Sequence, residues 1–502
     1  MLILKASSEE QGSNAISVSP GASLAGESST IEKLIKILEK YGLEEQRGLK
    51  RVYLSNRSIT CNDGSKSGFY LRKSHGSKRW IIFLEGGWYC YDDKSCRNRW
   101  LRLRHLMTST QWPETRDVGG LLSANPEENP FWWNANHVFV PYCTSDSWSG
   151  TRASTQDMFS FMGAEIVSQV VKDLIALGLE KASSLLLAGS SAGGTGVMLN
   201  LDRVQNLVHR LKEIAIRGVS DSGWFLDRVP YSPNGLTPVD AVRKGIQLWK
   251  PRISPNCLLR HSEQPWRCYF GYRLYPTLTA PLFIFQWLFD EAQMSVDNVG
   301  APVTKQQWDY VHKMGDSLRQ TFENVSAVFA PSCISHSILT KRDWQLVKVD
   351  DISLAQALHC WEQIPVGNQR NQPREKKKRN RRKHKARRRR RGSKQEEDHQ
   401  SDDGSALIGI RPERSVPSSR KRNCTRATCH FRLIERCTWP QCNHSCPKLH
   451  NPFTGEEMDF IELLKSFGLD MKSVASALGI DIQTLNTMDH NELLNLLTQR
   501  AN

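Results

Sequence analysis

Short apolar runs alternate along this chain with longer segments in which apolar residues recur every three or four positions. The short runs are typical of strands buried on both faces of a sheet, and the longer segments are typical of amphipathic helices. We expect early β structure between residues 52 and 70 and a helix over residues 153–179. Further strands are predicted at residues 80–84, 137–141, 184–188, 214–216, 282–285 and 327–329. The alternation predicts an α/β fold with a largely parallel sheet and helices on both faces.

The composition divides the chain into four parts. Residues 1–45 are predicted to form a disordered lead and a short helix, and residues 46–366 to form the α/β core. Residues 367–420 join a basic tract to an acidic, serine-rich stretch that cannot bury a core, so we expect a disordered insertion there. Residues 421–502 are predicted to hold a cysteine-rich segment followed by small C-terminal helices.

The formal net charge of +16 is concentrated in one segment of the 502-residue chain. Residues 371–394 contain fifteen Lys and Arg residues against one Glu, so the remainder is close to neutral. Such a tract favours polyanion binding, and its alternatives are a nuclear-localisation-like run or a convertase cleavage site. It has no aromatic residue on which bases could stack, which argues against nucleic acid as a partner.

Thirteen cysteines and four N-x-S/T sequons indicate the secretory route. Five of the cysteines lie between Cys424 and Cys446, which predicts a loop-rich segment stapled by disulfides, and the odd total leaves one thiol free or paired between chains. Residues 1–6 turn polar too early for a signal peptide, so we expect a leader upstream of this sequence. No apolar run reaches the ~18 residues of a membrane span. Glycosylation is expected at Asn56, Asn324, Asn423 and Asn443.

The motif G-x-S-x-G occurs at Gly189–Gly193, between a predicted strand and a predicted helix. An apolar strand precedes it and a small-residue helix start follows it, as in the nucleophile elbow of an α/β-hydrolase. The tight turn needs glycine two residues on either side of the serine, where a side chain would clash. The motif therefore predicts Ser191 as the nucleophile of a serine hydrolase that cleaves a carboxylic ester.

A serine nucleophile needs oxyanion donors, a base and an acid. The N–H of Ala192 and the glycine loop Glu85–Trp88 are the candidate donors. His336 is the favoured base because it follows a predicted strand, with His312 and His359 as alternatives inside predicted helices. For the acid, the strand pattern leaves three candidates: Asp290, Asp221 and Glu291.

Four motifs closely resemble the Notum family, secreted palmitoleoyl-protein carboxylesterases related to plant pectin acetylesterases. They are FLEGGWYC at residues 83–90, GSSAGGTG at 189–196, DSGWFLD at 221–227 and QWLFDE at 286–291. The resemblance covers roughly residues 50–361 and resumes from about residue 437 to the C-terminus. It implies a carboxylesterase that removes palmitoleate from a serine of Wnt proteins and so restrains Wnt signalling. It also implies the triad Ser191, Asp290 and His336, and an oxyanion hole at Gly87, Trp88 and Ala192.

The resemblance further implies a lipid pocket. Its lining would be Tyr89, Phe225, Pro238, Val242, Tyr269, Phe270, Ala292 and Val296. A monounsaturated acyl chain needs a deep apolar cavity, which most of these side chains suit. Tyr269 departs from the family, which tends to have Phe there, and so places a hydroxyl at the pocket wall. The basic tract is longer than the resemblance leads us to expect.

The implied partners are palmitoleoylated Wnt proteins as substrate, and glypican or heparan sulfate bound through the basic tract. No cofactor or metal is expected, because a serine triad works without one and the His and Cys spacing does not suit catalytic zinc. Two other functions stay open. One is a carbohydrate O-acetylesterase with a small acyl site, and the other is a non-catalytic extracellular protein that binds glycosaminoglycan or a lipidated ligand.

Overall fold

The computed structural model describes residues 48–154, 159–209, 214–232, 236–300, 302, 304–366, 429–449, 471–477, 479–488 and 492. The predicted lead (1–45) and basic insertion (367–420) lie outside these residues, so the domain boundaries remain predictions. Across the described part, no helix is both long and apolar enough to cross a membrane.

A mixed sheet of ten strands organises the described residues, in the order β14-β10-β8-β7-β6-β3-β5-β2-β1-β4. Two small two-stranded sheets pair β11 with β9 and β12 with β13. The strands are β1 (Leu49–Tyr53), β2 (Gly68–Arg72), β3 (Arg79–Leu84), β4 (Thr115–Arg116), β5 (Asn136–Val140), β6 (Ser184–Ser190), β7 (Ala215–Asp221), β8 (Leu282–Phe285), β9 (Phe289–Asp290), β10 (Val328–Ala330), β11 (Ile334–Ser335), β12 (Lys348–Val349), β13 (Ile352–Ser353) and β14 (Arg432–Ile434).

The helices connect these strands and cover the sheet. They are α1 (Asp93–Arg102), α2 (Gly163–Ala176), α3 (Ala192–His209), α4 (Pro238–Trp249), α5 (Pro255–Arg260), α6 (Gly271–Leu274), α7 (Glu291–Val296), α8 (Lys305–Thr321), α9 (Leu354–Glu362), α10 (Met471–Ala477) and α11 (Ile482–Thr487). Short 3-10 turns lie at Arg104–Leu106, Gly120–Leu122, Leu179–Lys181, Pro265–Tyr269, Tyr275–Thr277 and Trp344–Leu346.

The seven strands from β14 to β5 are parallel, which confirms the predicted largely parallel sheet. Successive side chains of a strand point to opposite faces. In β3, Ile81 and Phe83 pack into one core, whereas Ile82 and Leu84 pack into the other. Both faces are therefore buried, which explains the unbroken apolar runs. The early β structure is an antiparallel edge formed by β2, β1 and β4.

The helix predicted over residues 153–179 is wrong at its start, because α2 begins only at Gly163. The N–H of Gly163 donates to the buried Asp146 carboxylate at 2.8 Å, while Phe161 forms a bridge with Arg152. This carboxylate caps the helix and keeps the preceding residues extended. The helix ends before Gly178, which adopts a left-handed φ of 111° suited to a helix C-terminus.

Disulfides connect the cysteine-rich segment to the core. Cys446 bonds to Cys333 and Cys429 to Cys360, and β14 of the same segment pairs with the core strand β10. The segment is therefore stapled mainly to the core, whereas the prediction placed the staples within the segment. Cys424 lies outside the described residues. The remaining pairs are Cys61–Cys143, Cys90–Cys96, Cys257–Cys268 and Cys437–Cys442.

Candidate active site

The predicted nucleophile lies in a sharp turn between β6 and α3. Ser191 has a φ of 58°, a left-handed conformation that costs a residue with a side chain about 1 kcal/mol or more. A Cβ added to Gly193 would lie 2.0 Å from the Leu84 carbonyl oxygen, and one on Gly189 would lie 2.5 Å from the Gly193 oxygen. Only glycine fits at these two positions, so the motif builds the turn for steric reasons.

Parallel pairing of β11 with β9 brings the predicted base to one of its three candidate acids. Ser335 lies opposite Asp290, and His336 follows immediately. The Nδ1 atom of His336 lies 2.9 and 3.1 Å from the two oxygens of the Asp290 carboxylate. That carboxylate also accepts hydrogen bonds from the side chain of Gln286 and the N–H of Gln293. Asp290 therefore orients the imidazole ring and is itself held in place.

The alternative residues are engaged elsewhere. Asp221 accepts hydrogen bonds from Ser190 and from the backbone beyond His336, and makes no contact of its own with the ring in the described structure. The ring of His312 packs against Trp439 with centroids 5.0 Å apart. The ring of His359 stacks on Phe131 at 4.1 Å, as a packing residue does.

The electrostatic surroundings of His336 favour its cationic form. Burial lowers the pKa of the imidazole, but the negative charges of Asp290, Asp221 and Glu291 and the hydrogen bond that His336 donates to Asp290 outweigh that effect. The pKa of His336 is therefore raised above its ordinary value. Such a ring readily takes a proton from a hydroxyl and is stabilised while it carries the charge. Ser191 and His336 line one cavity, so the two groups face a common space.

The glycine loop after β3 approaches the nucleophile closely. A Cβ on Gly86 would lie 2.6 Å from the Ser190 oxygen and 2.9 Å from the Ser191 Cβ. Gly87 and Trp88 both have positive φ values, 138° and 59°, and both line the cavity that holds Ser191. Ala192 is the first residue of α3, where the backbone N–H groups have no partner within the helix. The predicted oxyanion residues thus surround Ser191.

Glu85 supports this loop, a role that sequence reasoning missed. Its carboxylate accepts a hydrogen bond from the N–H of Tyr142 at 2.8 Å and pairs with Arg116 at 2.9 Å. Its backbone oxygen accepts a hydrogen bond from the indole of Trp148 at 3.0 Å. These contacts come from residues 31 to 63 positions away, so the sequence carried no local signal for them.

Two cavities share the lining residues Trp88 and Val296. The first, which we call the acyl chamber, is apolar and narrow, with a volume of about 20 Å³, enough for about one water molecule. Seven of the eight predicted lipid-pocket residues line it. Ser147 and Thr195 also line it, and nothing in their sequence context pointed to that position. The full lining is Trp88, Tyr89, Ser147, Ala192, Thr195, Phe225, Pro238, Val242, Tyr269, Phe270 and Val296.

Aromatic side chains close the acyl chamber. The rings of Trp88 and Tyr89 stack at 4.3 Å, and Phe225 meets Trp88 edge-on at 5.9 Å. The hydroxyl of Tyr269, which departs from the family pattern, shares a hydrogen bond of 2.7 Å with the Ser149 hydroxyl. That hydroxyl is therefore already satisfied by the protein. Because the free volume is small, a long acyl chain enters only when these rings move apart.

The second cavity, which we call the outer chamber, is wider, with a volume of about 800 Å³. It holds Ser191 and His336 and extends to Arg116 and Asp117. Ala292, predicted for the lipid pocket, lines this chamber instead, because it lies early in α7 beside the catalytic strand β9. Trp88 and Val296 line both chambers and therefore form the partition between them.

The predicted glycosylation sites differ in accessibility. Asn56 and Asn324 are exposed, whereas Asn443 is half-buried and its amide donates to Lys348 and Glu435. Asn423 lies outside the described residues. Among the side chains that the structure describes, no group of three or more His, Cys, Asp or Glu could hold a metal ion.

Comparison with known proteins shows which family this chain resembles. A family model described as Pectinacetylesterase matches residues 44–447. The palmitoleoyl-protein carboxylesterase NOTUM of Drosophila melanogaster is 47% identical, over 91% of this chain and 88% of that protein. The human protein of the same name is 42% identical, over 88% of this chain and 82% of its own length.

A solved structure is similar throughout its length. The Wnt deacylase Notum from Drosophila has 53% sequence identity and a TM-score of 0.65, and the match covers 80% of this chain and 100% of that one. The fold is therefore that of an α/β-hydrolase, as predicted, and the resemblance drawn from the four motifs is confirmed. The chain is a hydrolase that belongs to the pectinacetylesterase family and, within it, to the Notum carboxylesterases.

Proposed function

We propose that this chain removes palmitoleate from a serine of Wnt proteins outside the cell and so restrains Wnt signalling. The observation that carries the proposal is the apolar acyl chamber, which is lined largely by aromatic and aliphatic side chains and includes Ala192, the residue after the nucleophile. The apolar lining suits a hydrocarbon chain, which enters when the aromatic rings move apart, whereas an acetyl group needs no lining of that extent. Relatives named palmitoleoyl-protein carboxylesterase support the same substrate class.

The reaction begins with the transfer of a proton. His336 Nε2 takes the Ser191 hydroxyl proton while Ser191 Oγ attacks the ester carbonyl carbon. The N–H groups of Gly87, Trp88 and Ala192 stabilise the developing oxyanion, aided by the positive end of the α3 dipole. The carbon–oxygen bond to the Wnt serine then breaks, and His336 donates its proton to that serine oxygen. Asp290 stabilises the imidazolium while it exists.

Water completes the cycle. His336 removes a proton from the water, the resulting hydroxide attacks the acyl-enzyme carbonyl, and Ser191 regains its proton as palmitoleic acid leaves. The outer chamber provides the space for the protein side of the ester. Its volume of about 800 Å³ and its polar residues Arg116 and Asp117 suit a peptide segment around the acylated serine.

The proposal is tested with three substrates: p-nitrophenyl octanoate, p-nitrophenyl acetate and a palmitoleoylated Wnt peptide. We expect the wild-type protein to prefer octanoate and to release palmitoleate from the peptide, and the Ser191→Ala variant to lose all three activities. Ser183→Ala serves as the matched control and should retain them, because Ser183 is an exposed serine one residue before the start of β6.

Other outcomes would contradict the proposal. A preference for acetate without action on the peptide would indicate a carbohydrate O-acetylesterase. A folded wild-type protein as inactive as Ser191→Ala on all three substrates would indicate a non-catalytic role in binding glycosaminoglycan or a lipidated ligand.

We also propose that the basic tract at residues 371–394, which lies outside the described residues, binds heparan sulfate on glypicans. Fifteen cationic side chains in 24 residues support it, because such a dense run of positive charge attracts a polyanion. The six disulfides among the described residues support an extracellular location. We expect retention on heparin that weakens steeply with salt and is lost when residues 374–391 are deleted. Equal retention of the deletion variant would refute this assignment.

A further inference from the structure

A buried carboxylate lies between the two turns that carry Ser191 and His336. It belongs to Asp221, the last residue of β7, which has no exposed surface. Its Oδ2 atom accepts the hydroxyl of Ser190 at 2.5 Å. The same oxygen accepts the N–H groups of Ile338 and Leu339 at 2.9 and 3.0 Å. One atom is therefore bonded both to the nucleophile turn and to the loop after His336.

Further contacts of Asp221 reinforce this connection. Its Oδ1 accepts the hydroxyl of Ser222 at 2.8 Å, and the Ser222 oxygen accepts the N–H of Ser337 at 3.0 Å. The backbone oxygen of Asp221 accepts the N–H of Ser191 itself at 2.8 Å. The backbone of Asp221 thus holds the nucleophile Ser191, and its side chain holds Ser337, the residue after His336, through Ser222.

Three serines in this network have left-handed backbones. The φ values are 58° at Ser191, 52° at Ser222 and 60° at Ser337. Such conformations are unfavourable for residues with side chains and persist only where surrounding contacts hold them. The contacts to Asp221 involve all three serines: it binds the N–H of Ser191, the hydroxyl of Ser222 and, through that hydroxyl, Ser337.

We propose that Asp221 is a positioning residue of the reaction, which fixes the nucleophile turn and the histidine loop relative to each other so that Ser191 and His336 stay aligned. The inference rests on the proposed function, since it presumes that these two residues carry the chemistry. A carboxylate suits the role because its two oxygens accept four hydrogen bonds, two from hydroxyls and two from backbone N–H groups, and it donates none. An amide would offer one donor group in place of one of those oxygens.

The test is Asp221→Asn, assayed with p-nitrophenyl octanoate. We expect kcat to fall about 100-fold while KM changes little, because misplacing a reacting group by about 1 Å costs on that order. We also expect the acid limb of the pH profile to move to lower pH. His336 faces Asp290, Glu291 and Asp221, and loss of the third negative charge makes the imidazolium less favourable.

Two further sets of variants keep the test decisive. Ser190→Ala and Ser222→Ala each remove one arm of the network, and each should lower kcat about tenfold even if Asp221→Asn does not fold. Asp202→Asn is the matched control. The Asp202 carboxylate also joins a helix to a loop, through the N–H groups of Thr279 and Ala280, but lines neither chamber. It should lose stability without a change in kcat or in the pH profile.

Clear results would overturn the proposal. A folded Asp221→Asn protein with kcat within threefold of wild type and an unmoved acid limb would do so. If Asp221→Asn does not fold, an unchanged kcat in both Ser190→Ala and Ser222→Ala would overturn the proposal. Failure of the proposed function is recognised separately, because the wild-type protein would then match Ser191→Ala on every substrate.

Discussion

Gly86 gives the sharpest test of how the glycine loop works. This residue precedes two of the proposed oxyanion residues and passes directly over the nucleophile turn. A Cβ placed on it would lie 2.6 Å from the Ser190 carbonyl oxygen and 2.9 Å from the Ser191 Cβ. Neither neighbour is the end of a flexible side chain. Gly86→Ala therefore forces the loop and the nucleophile turn apart.

The expected loss follows from that distance. Ordinary carbon contacts lie at about 3.5–4.0 Å, so relief of the clash requires a movement of roughly 1 Å. A misplacement of that size costs about 100-fold in rate, equivalent to about 2.7 kcal/mol in the activation free energy. We expect kcat/KM for p-nitrophenyl octanoate to fall by about that factor. Overpacking should also lower the free energy of unfolding by about 1–3 kcal/mol.

Gly76→Ala separates the two effects. Gly76 lies in an exposed turn with a φ of 75° and has no atom within 4 Å of its added Cβ. Its alanine variant should lose about 1 kcal/mol of stability through backbone strain and keep full activity. Activity and thermal unfolding of both variants are measured side by side. A folded Gly86→Ala protein that retains kcat/KM within threefold would refute the idea that the loop's close approach places the oxyanion donors.

Three further predictions concern single groups. Tyr269→Phe should lower the free energy of unfolding by about 1 kcal/mol, because it leaves the Ser149 hydroxyl without this partner. The ratio of activity on octanoate to activity on acetate should not change. A changed ratio would mean that the phenol faces the acyl chain. His336 must be neutral to act as the base, and Asp290 and its acidic neighbours raise the pKa of its ring. We therefore expect kcat/KM to fall on acidification with an inflection above pH 6.5. A pH–rate profile with its acid inflection below 6.5 would contradict this. Burial raises the pKa of Asp297 to about 7 in the folded protein, against about 3.9 for an unfolded chain. The folded state therefore holds this proton more tightly, and the stability that it contributes at low pH is lost as pH rises from about 4 to 7. Relative to Asp297→Asn, the wild-type protein should lose about 2 kcal/mol of unfolding free energy between pH 5 and pH 7 in urea titrations, and parallel curves would exclude the effect.

The central strands could be predicted because burial on both faces requires an unbroken run of apolar residues. All six apolar runs from residue 80 onward overlap strands of the main sheet. The strand β14 could not be predicted, because its sequence, Arg432–Ile434, has only three residues, one of which is charged. Its place at the sheet edge depends on pairing with β10 and on disulfides that close loops of 69 and 113 residues. Contacts so distant in sequence leave no local pattern.

The predicted start of α2 was wrong for a related reason. The apolar period of 3.6 continues upstream of Gly163, but α2 begins at Gly163, whose N–H donates to the carboxylate of Asp146. That residue lies 17 positions earlier and is fully buried. Hydrophobic periodicity records which face of a segment is buried. It does not record a polar cap supplied from another part of the chain.

The sequence pattern alone could not decide which of the candidate acids orients His336. Asp221 and Asp290 each end a strand that is buried along its length, so strand order alone could not separate them, and the family resemblance was needed to favour Asp290. In the structure, the parallel register of β9 with β11 points the Asp290 carboxylate at His336. Among the described residues, the Asp221 carboxylate instead receives four hydrogen bonds from hydroxyl and backbone donors and none from the ring. Since a histidine-orienting acid must keep an oxygen for the ring N–H, its assignment depends on which donors the fold supplies to each carboxylate, and that is set by register across the sheet.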